Sequence, residues 1–221
     1  MKENDVILKR QSTQIFFKNG DTDFFFNWLL GIGEIFGFSH GELYYLAQRL
    51  GNSPKPDDWK NVFLSHVNYL EQEASNSGLS EQTKAQYYLA QTYSLRSAIQ
   101  FTDPFSDEYL PTVRQMEKVF SSAIHSLGVP IEKLTIPYQG SYLPGYYLHS
   151  GDNCPTLIMI GGGDTYREDL FYFAGYPGWI RNYNVLMVDL PGQGSNPSRG
   201  LVFDVDASIP ISLCIDWLEN R

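Results

Sequence analysis

The sequence is short of cysteine, of basic residues and of long apolar runs, and each shortage excludes a class of protein. With two cysteines, Cys154 and Cys214, among 221 residues, a disulfide framework is not expected. The formal net charge of -9 and the lack of basic blocks exclude nucleic acid and anionic membrane as expected partners. No apolar run is long enough to cross a bilayer, and the polar start, Met1–Asp5, leads into no signal-peptide core. We therefore expect a cytoplasmic chain.

Residues 1–129 show helical periodicity, which predicts a helical N-terminal domain. Starts and ends are marked by capping residues, by prolines and by glycines. Five helices are predicted. The first two span Asp23–Phe36 and Glu42–Leu50. The third is capped by Asp57 or Asp58, the fourth is capped by Ser80 and runs to about Phe101, and the fifth is opened by Pro111 and ended by Gly128.

Residues 130–221 change to a β pattern and predict a second domain. Ile131–Tyr138 and Tyr142–His149 form a predicted hairpin. Two apolar runs that are too short for free helices, Thr156–Ile160 and Asn184–Val188, predict parallel strands buried on two faces. The crossover between them holds Gly175, Pro177 and Gly178, so its helix should be broken midway. A last helix is predicted over Ala207–Glu219. Helices that flank a sheet with parallel strands make the predicted fold class α/β.

Each of the two apolar runs ends in a glycine cluster. The first leads into Gly161-Gly-Gly-Asp164 and the second into Asp189-Leu-Pro-Gly-Gln-Gly194. Ligands in open parallel sheets bind outside the carboxyl ends of the strands, where both clusters should lie. The sequence therefore predicts a binding site between these two segments.

The whole pattern resembles the first half of an α/β-hydrolase. It is similar to the group with a helical N-terminal cap that includes the fermentation/respiration switch protein, the pseudooxynicotine-type carbon–carbon hydrolases and the fungal polyketide-shortening hydrolases. The stretches that carry the resemblance are Phe36-Gly-Phe-Ser-His-Gly-Glu42, Pro56-Asp-Asp-Trp59, Ala85-Gln-Tyr-Tyr-Leu-Ala90, Gly161-Gly-Gly-Asp164 followed by Glu168, and Asp189-Leu-Pro-Gly-Gln-Gly194.

The resemblance implies a serine hydrolase acting on an ester, or on a carbon–carbon bond alpha to a carbonyl, in a small aromatic or polyketide-like substrate, with no cofactor. Half of the oxyanion hole would come from Gly163 and Asp164, since a glycine lets the backbone N–H approach the developing charge. Asp164 is also a candidate acid or base, with helix capping as the competing role. Gly162, Asp189, Gly192 and Gly194 are predicted at the pocket rim, where a purely structural role is favoured for the 189–194 loop.

In the hydrolase order the nucleophile, the acid and the histidine follow the next strand, beyond Arg221. We therefore expect a fragment, an early-terminated form or a pseudo-enzyme, inactive as the chain stands. The resemblance also implies that the helical region takes part in homodimer contacts. The sequence encoded beyond Arg221 would decide between these readings.

Several other signals compete with this interpretation. Gly37-Phe-Ser-His-Gly41 matches the Gly-x-Ser-x-Gly elbow formula, but it follows a predicted helix, so Ser39 is expected in a helix–helix turn. The four histidines, His40, His66, His125 and His149, lack metal spacing, and His66 is expected in the core. Two alternative functions stay open: a dinucleotide-binding domain, from Gly161-x-Gly163 and the later Asp189, and a non-catalytic interaction protein. Trp59, Tyr87, Tyr88 and Tyr93 either line an aromatic-substrate pocket or pack in the core.

Overall fold

The computed structural model describes residues 14–33 and 37–221. Strands in these ranges occupy Ile131–Tyr138 (β1), Ser141–Leu148 (β2), Thr156–Ile160 (β3) and Asn184–Val188 (β4). Among the described residues, no helix combines the length and the apolar character that a membrane span requires. The α-helices are Gly20–Gly33 (α1), His40–Leu50 (α2), Pro56–Ala74 (α3), Glu81–Ala98 (α4), Tyr109–Leu127 (α5), Arg167–Leu170 (α6), Tyr176–Trp179 (α7) and Ser208–Glu219 (α8).

The four strands form one mixed sheet in the order β1-β2-β4-β3. β1 and β2 are the predicted hairpin, and β3 pairs in parallel with β4, as the βαβ interpretation requires. Gln139 and Gly140 join the hairpin with φ values of 48° and 72°, the left-handed conformation of a tight two-residue turn. The predicted α/β fold class is confirmed.

Burial differs between the two parallel strands. Every residue of β4 is buried, whereas β3 has none that is fully buried, and Leu157 is 38% exposed. In the described sheet β4 lies between β2 and β3, while β3 has a neighbour on one side only. The prediction of burial on two faces is therefore right for β4 and wrong for β3.

The helix boundaries follow the local signals to within three residues, and one predicted cap is wrong. Ser80 caps α4, and Gly128 ends α5 with φ of 67°. α3 begins at Pro56, and Asp58 lies inside its first turn, where it accepts a hydrogen bond from the Lys55 N–H. The predicted cap at Asp57 or Asp58 is therefore wrong. Residues 34–36 of the first predicted helix lie outside the described residues.

The helical region covers one face of the sheet and α8 covers the other. A single buried cluster joins side chains of α1, α3, α4 and α5 to Tyr146, Leu148, Val185 and Met187 of the sheet. Leu186, Val188 and Cys214 belong to the cluster on the α8 side. Since the helices and the sheet share a core, the domain boundary at residue 129 stays a prediction.

The crossover between β3 and β4 is divided, as predicted, into α6, a π-helical turn over Phe171–Gly175 and α7. Its glycines lie directly on β4. A Cβ at Gly175 would come within 2.6 Å of Met187 Sδ, and one at Gly178 within 2.9 Å of Val185 Cγ2. The break therefore lets the crossover pack closely against the central strand.

Candidate functional site

A four-residue turn, Gly162–Thr165, follows β3. The Thr165 N–H donates to the Gly162 carbonyl at 3.2 Å, and the Gly162 N–H donates to Thr165 Oγ1 at 3.2 Å. The residue before the turn, Gly161, has no room for a side chain, because a Cβ there would lie 2.5 Å from Thr165 Cβ. Within residues 14–33 and 37–221, the N–H groups of Gly163 and Asp164 donate no hydrogen bond. These two groups are available to an incoming oxygen atom.

Asp164 is exposed and held by two residues of the helical region. Its carbonyl accepts a hydrogen bond from Arg96 Nη2, and its carboxylate lies 3.5 Å from Gln100 Nε2. In the first turn of the following helix, Asp169 Oδ2 accepts a hydrogen bond from the Tyr166 N–H at 3.0 Å. Tyr166 is the N-cap of this helix, so the capping role weighed for Asp164 is wrong.

Asp189, predicted at the pocket rim, lies beneath its loop and is 1% exposed. Its carboxylate accepts from the Arg167 N–H at 2.7 Å and from Arg167 Nη1 at 2.6 Å. A Cβ at Gly194 would lie 2.2 Å from Asp189 Oδ2, so only glycine fits over this carboxylate. Asp189 thus supports the loop from below and lines neither cavity described next.

Two cavities meet at the turn. One of about 350 Å³ lies at the end of β3 and is lined in part by Gly162 and Gln193. Another, of about 160 Å³, lies between the turn and the helical region, lined in part by Gly192 and Gly194. Gly163 and Phe203 line both cavities, so three of the four predicted rim residues lie at a cavity.

Gln193 connects the two loops. Its Nε2 donates to the carbonyls of Gly161 at 2.8 Å and Gly162 at 2.7 Å, while its Oε1 accepts from the Leu190 N–H at 2.8 Å. Sequence reasoning placed Gln193 in the loop without giving it this role. The feature that indicates this role is the position of Gln193 between two glycines, from which its long amide side chain reaches the end of β3.

A buried charge cluster lies under the site. Arg167 pairs with Asp189, with Glu168 at 3.4 Å and with Glu117 of α5 at 2.6 Å. Burial raises the pKa of Glu168 to about 7 and that of Asp189 to about 6, opposed in both by the positive charge of Arg167. Glu168 Oε1 also accepts from the Tyr146 hydroxyl at 2.6 Å. The sequence marked Glu168 only as part of the family pattern.

Comparison with known proteins identifies similar chains. No family model matches. The chain is 27% identical over 204 residues to "Hydrolyase ccsE" of Aspergillus clavatus, covering 83% of this chain and 47% of the relative. It is 26% identical over 188 residues to "Alpha/beta hydrolase ucsC" of Acremonium sp, covering 74% and 38%. This chain thus spans less than half the length of these curated relatives.

Two solved structures share the architecture. AbyA5 matches with a TM-score of 0.65 and 18% identity over 92% of this chain and 53% of that one. The 2,6-dihydroxy-pseudo-oxynicotine hydrolase matches with a TM-score of 0.57 and 21% identity over 74% and 46%. The chain has an α/β-hydrolase fold. Its resemblance to the α/β-hydrolase group is confirmed.

Ser39, the serine of the Gly-x-Ser-x-Gly match, lies outside the site of this α/β-hydrolase fold. Ser39 caps α2, where its Oγ accepts from the Glu42 N–H at 3.1 Å and Glu42 accepts from the Ser39 N–H at 3.0 Å. It therefore lies in the expected turn between two helices. The dinucleotide-binding alternative finds no support, since the sheet is mixed and α6 is only four residues long.

His66, Trp59 and Tyr93 pack inside the helical region of this α/β-hydrolase fold. His66 is buried, and its Nδ1 lies 2.9 Å from Ser94 Oγ. Trp59 donates to the Ser97 carbonyl, and Tyr93 donates to Asp169 at 2.8 Å. Neither aromatic residue lines the two cavities at the strand ends. Their contacts favour the core-packing alternative.

Proposed function

We propose that this chain is the N-terminal part of a serine-type α/β-hydrolase that cleaves an ester, or a carbon–carbon bond alpha to a carbonyl, in a small aromatic or polyketide-like substrate. The turn Gly162–Thr165 supplies one side of the oxyanion hole, through the N–H groups of Gly163 and Asp164. The serine nucleophile lies in sequence beyond residue 221.

The observation that carries the proposal is the pair of unused donors. Two successive N–H groups at the carboxyl end of a parallel strand stabilise a developing oxyanion, and they do so without reorganisation if the turn is rigid. The Thr165–Gly162 hydrogen bond and Gln193 both hold this turn. Gly163 lines both cavities, so a substrate bound in either would lie beside this residue.

The free edge of β3 supports the position of the nucleophile. In the described sheet β3 pairs on one side only, which leaves a row of N–H and C=O groups for another strand. A parallel strand added there would end beside the turn, so a serine after it would face the unused donors. The apolar residues around the larger cavity, including Ile160, Leu190 and Phe203, suit a substrate with an apolar body.

The experiment compares two variants at one position in the full-length protein. Gly163→Pro removes the backbone N–H, at a turn position that proline tolerates. Gly163→Ala keeps the N–H, and its Cβ would lie 3.6 Å from Phe203, an ordinary contact. We expect the proline variant to lose about 10²–10³-fold in kcat on a p-nitrophenyl ester, with the alanine variant much less affected.

Labelling by a fluorophosphonate probe tests the nucleophile independently. The proposal requires that the full-length protein be labelled at a serine in a Gly-x-Ser-x-Gly segment beyond Arg221 and that replacing this serine with alanine abolish labelling. Equal activity of the Gly163→Pro and Gly163→Ala variants would remove the oxyanion role.

A non-catalytic interaction protein is the second candidate, and the open β3 edge favours it. An unpaired edge binds a strand from another molecule as readily as one from the same chain. A stable 25.2 kDa protein that the probe does not label and that elutes as a homodimer would support this candidate. A labelled serine in the continuing sequence would exclude it.

A further inference from the structure

Arg96 is a buried cation of α4 that reaches the candidate oxyanion turn. The residue is 2% exposed, and its guanidinium lies 4.3 Å from the centre of the Tyr166 ring. Its Nε lies 3.2 Å from Asp169 Oδ2, its Nη1 donates to Gln100 at 2.8 Å, and its Nη2 donates to the Asp164 carbonyl. The guanidinium thus uses three of its nitrogens in three directions.

These contacts fix both ends of one peptide group. The Asp164 carbonyl and the Thr165 N–H belong to a single planar unit. Arg96 binds its oxygen, while the Thr165 N–H is bound to the Gly162 carbonyl. A peptide held at both ends cannot rotate about its long axis. The Asp164 N–H belongs to the preceding peptide group, whose other neighbour is held at the Gly162 carbonyl by Gln193 and by the Thr165 N–H. With both neighbouring peptides held, the direction of the Asp164 N–H is restricted as well.

Asp169 in turn holds Arg96 in place. This carboxylate is fully buried, and it accepts hydrogen bonds from the Tyr93 hydroxyl at 2.8 Å and from the Tyr166 N–H at 3.0 Å. Asp169 thus anchors the guanidinium at Nε, while Nη2 reaches the turn.

We propose that Arg96 is a positioning residue of the hydrolase: by holding the Asp164 carbonyl, it aims the Asp164 N–H at the reacting carbonyl. The inference rests on the proposed function. It also makes the helical region a working part of the site, since α4 sets the geometry of a turn that belongs to the sheet.

The test must separate positioning from stability, because removing Arg96 leaves Asp169 as an unpaired buried charge. Arg96→Met removes the cation. The double variant Arg96→Met/Asp169→Asn also removes the stranded charge, and asparagine still offers an oxygen to the Tyr166 N–H. Asp169→Asn alone is the matched control, and Arg96→Lys keeps the charge but loses the three-way fork.

Steady-state kinetics of the full-length protein on a p-nitrophenyl ester, with thermal unfolding of each variant, give the first readout. We expect the double variant to recover much of the thermal stability lost in Arg96→Met, while its kcat stays about 10–100-fold below wild type and KM changes little. The kcat of Arg96→Lys should lie between those of the wild type and the double variant. This variant replaces the methionine variants in the comparison if they do not fold. A double variant with wild-type kcat would overturn the proposal.

Amide hydrogen exchange gives a readout that does not depend on activity. If Arg96 holds the peptide, the Thr165 amide should exchange about 10-fold faster or more in the double variant than in Asp169→Asn, with α4 unchanged. Equal exchange would contradict the proposal. If the wild-type protein neither hydrolyses the ester nor reacts with fluorophosphonate, the proposed function fails, and the exchange result still decides whether Arg96 holds the turn.

Discussion

The two loops that follow the parallel strands are held in place by different kinds of contact. The turn after β3 keeps the Gly163 and Asp164 N–H groups unused and is held from outside by Arg96 and Gln193. The loop after β4 is held from within, because Asp189 lies beneath it and Asn196 Nδ2 donates to the carbonyls of Asp189 at 2.9 Å and Leu190 at 2.8 Å. The first loop therefore suits chemistry and the second suits support.

The charges follow the same division. The carboxylate of Asp164 is exposed, while that of Asp189 is buried against Arg167. The helical region also binds a backbone carbonyl of each loop: Arg96 binds the Asp164 carbonyl, and the Tyr109 hydroxyl donates to the Gly194 carbonyl at 2.8 Å. The four predictions below test whether stability resides in the second loop and function in the first, from the largest expected effect to the smallest.

Asp189→Ala should produce the largest loss of stability. It leaves the Arg167 N–H and Nη1 without their partner in a buried site. Removing one member of a buried charged pair costs about 3–5 kcal/mol, and the remaining pairing of Arg167 with Glu117 and Glu168 places the expected value near the lower end. Urea unfolding measures it. A loss below about 1 kcal/mol, the range of surface pairs, would show that the loop does not depend on this pair.

Gly194→Ala should come next, with Gly200→Ala as its control. Both glycines have positive φ, 53° and 79°, so both variants carry the cost of a left-handed alanine, about 1–2 kcal/mol. Only at Gly194 would the new Cβ meet the Asp189 carboxylate; nothing lies within 4 Å at Gly200. We expect an additional loss of about 1 kcal/mol at Gly194, the lower end of the cost of overpacking. Equal losses would show that the carboxylate moves aside freely.

The pH dependence of stability should reveal Glu168. Burial raises its pKa from the ordinary 4.5 to about 7, so the folded state binds a proton more tightly than the unfolded state. The stabilisation that this protonation gives is complete below pH 4.5 and is lost as the pH rises through about 7. Urea titrations between pH 5 and 8 should show a decline that Glu168→Gln reduces, with the remainder due to Asp189, whose pKa burial raises to about 6. An unchanged slope in that variant would exclude Glu168 as its source.

Much of this arrangement follows from sequence patterns that act locally. β3 and β4 occupy the predicted residues because short apolar runs followed by glycines have few alternatives, and the hairpin and the broken crossover follow from turn residues. The predicted positions of Gly163 and Asp164 at a strand end follow for the same reason. The assignment of their N–H groups to the oxyanion hole stays a prediction.

The long-range contacts could not be predicted in the same way. Arg96 precedes Asp164 by 68 positions, and no periodicity indicates which buried arginine meets which carbonyl. Asp189 illustrates the same limit, since its position after β4 was clear while its burial depended on Arg167, 22 residues earlier. Sequence patterns locate the ends of strands, and the partners that hold those ends depend on tertiary packing.

The smallest effect on stability is expected from Asp164→Asn. The carboxylate is exposed and its side-chain contact is with Gln100 at 3.5 Å, so the variant should change the free energy of unfolding by less than about 0.5 kcal/mol. Because the proposed contribution of Asp164 is its backbone N–H, which asparagine retains, kcat of the full-length protein should stay within about threefold of wild type.

A fall of about 10²–10⁴-fold in kcat at unchanged stability would instead identify the Asp164 side chain as a general acid or base. Either result sharpens the contrast with Asp189, whose replacement should first of all lower the free energy of unfolding. The two aspartates end adjacent parallel strands, and burial alone separates a group available to substrate from one committed to the fold.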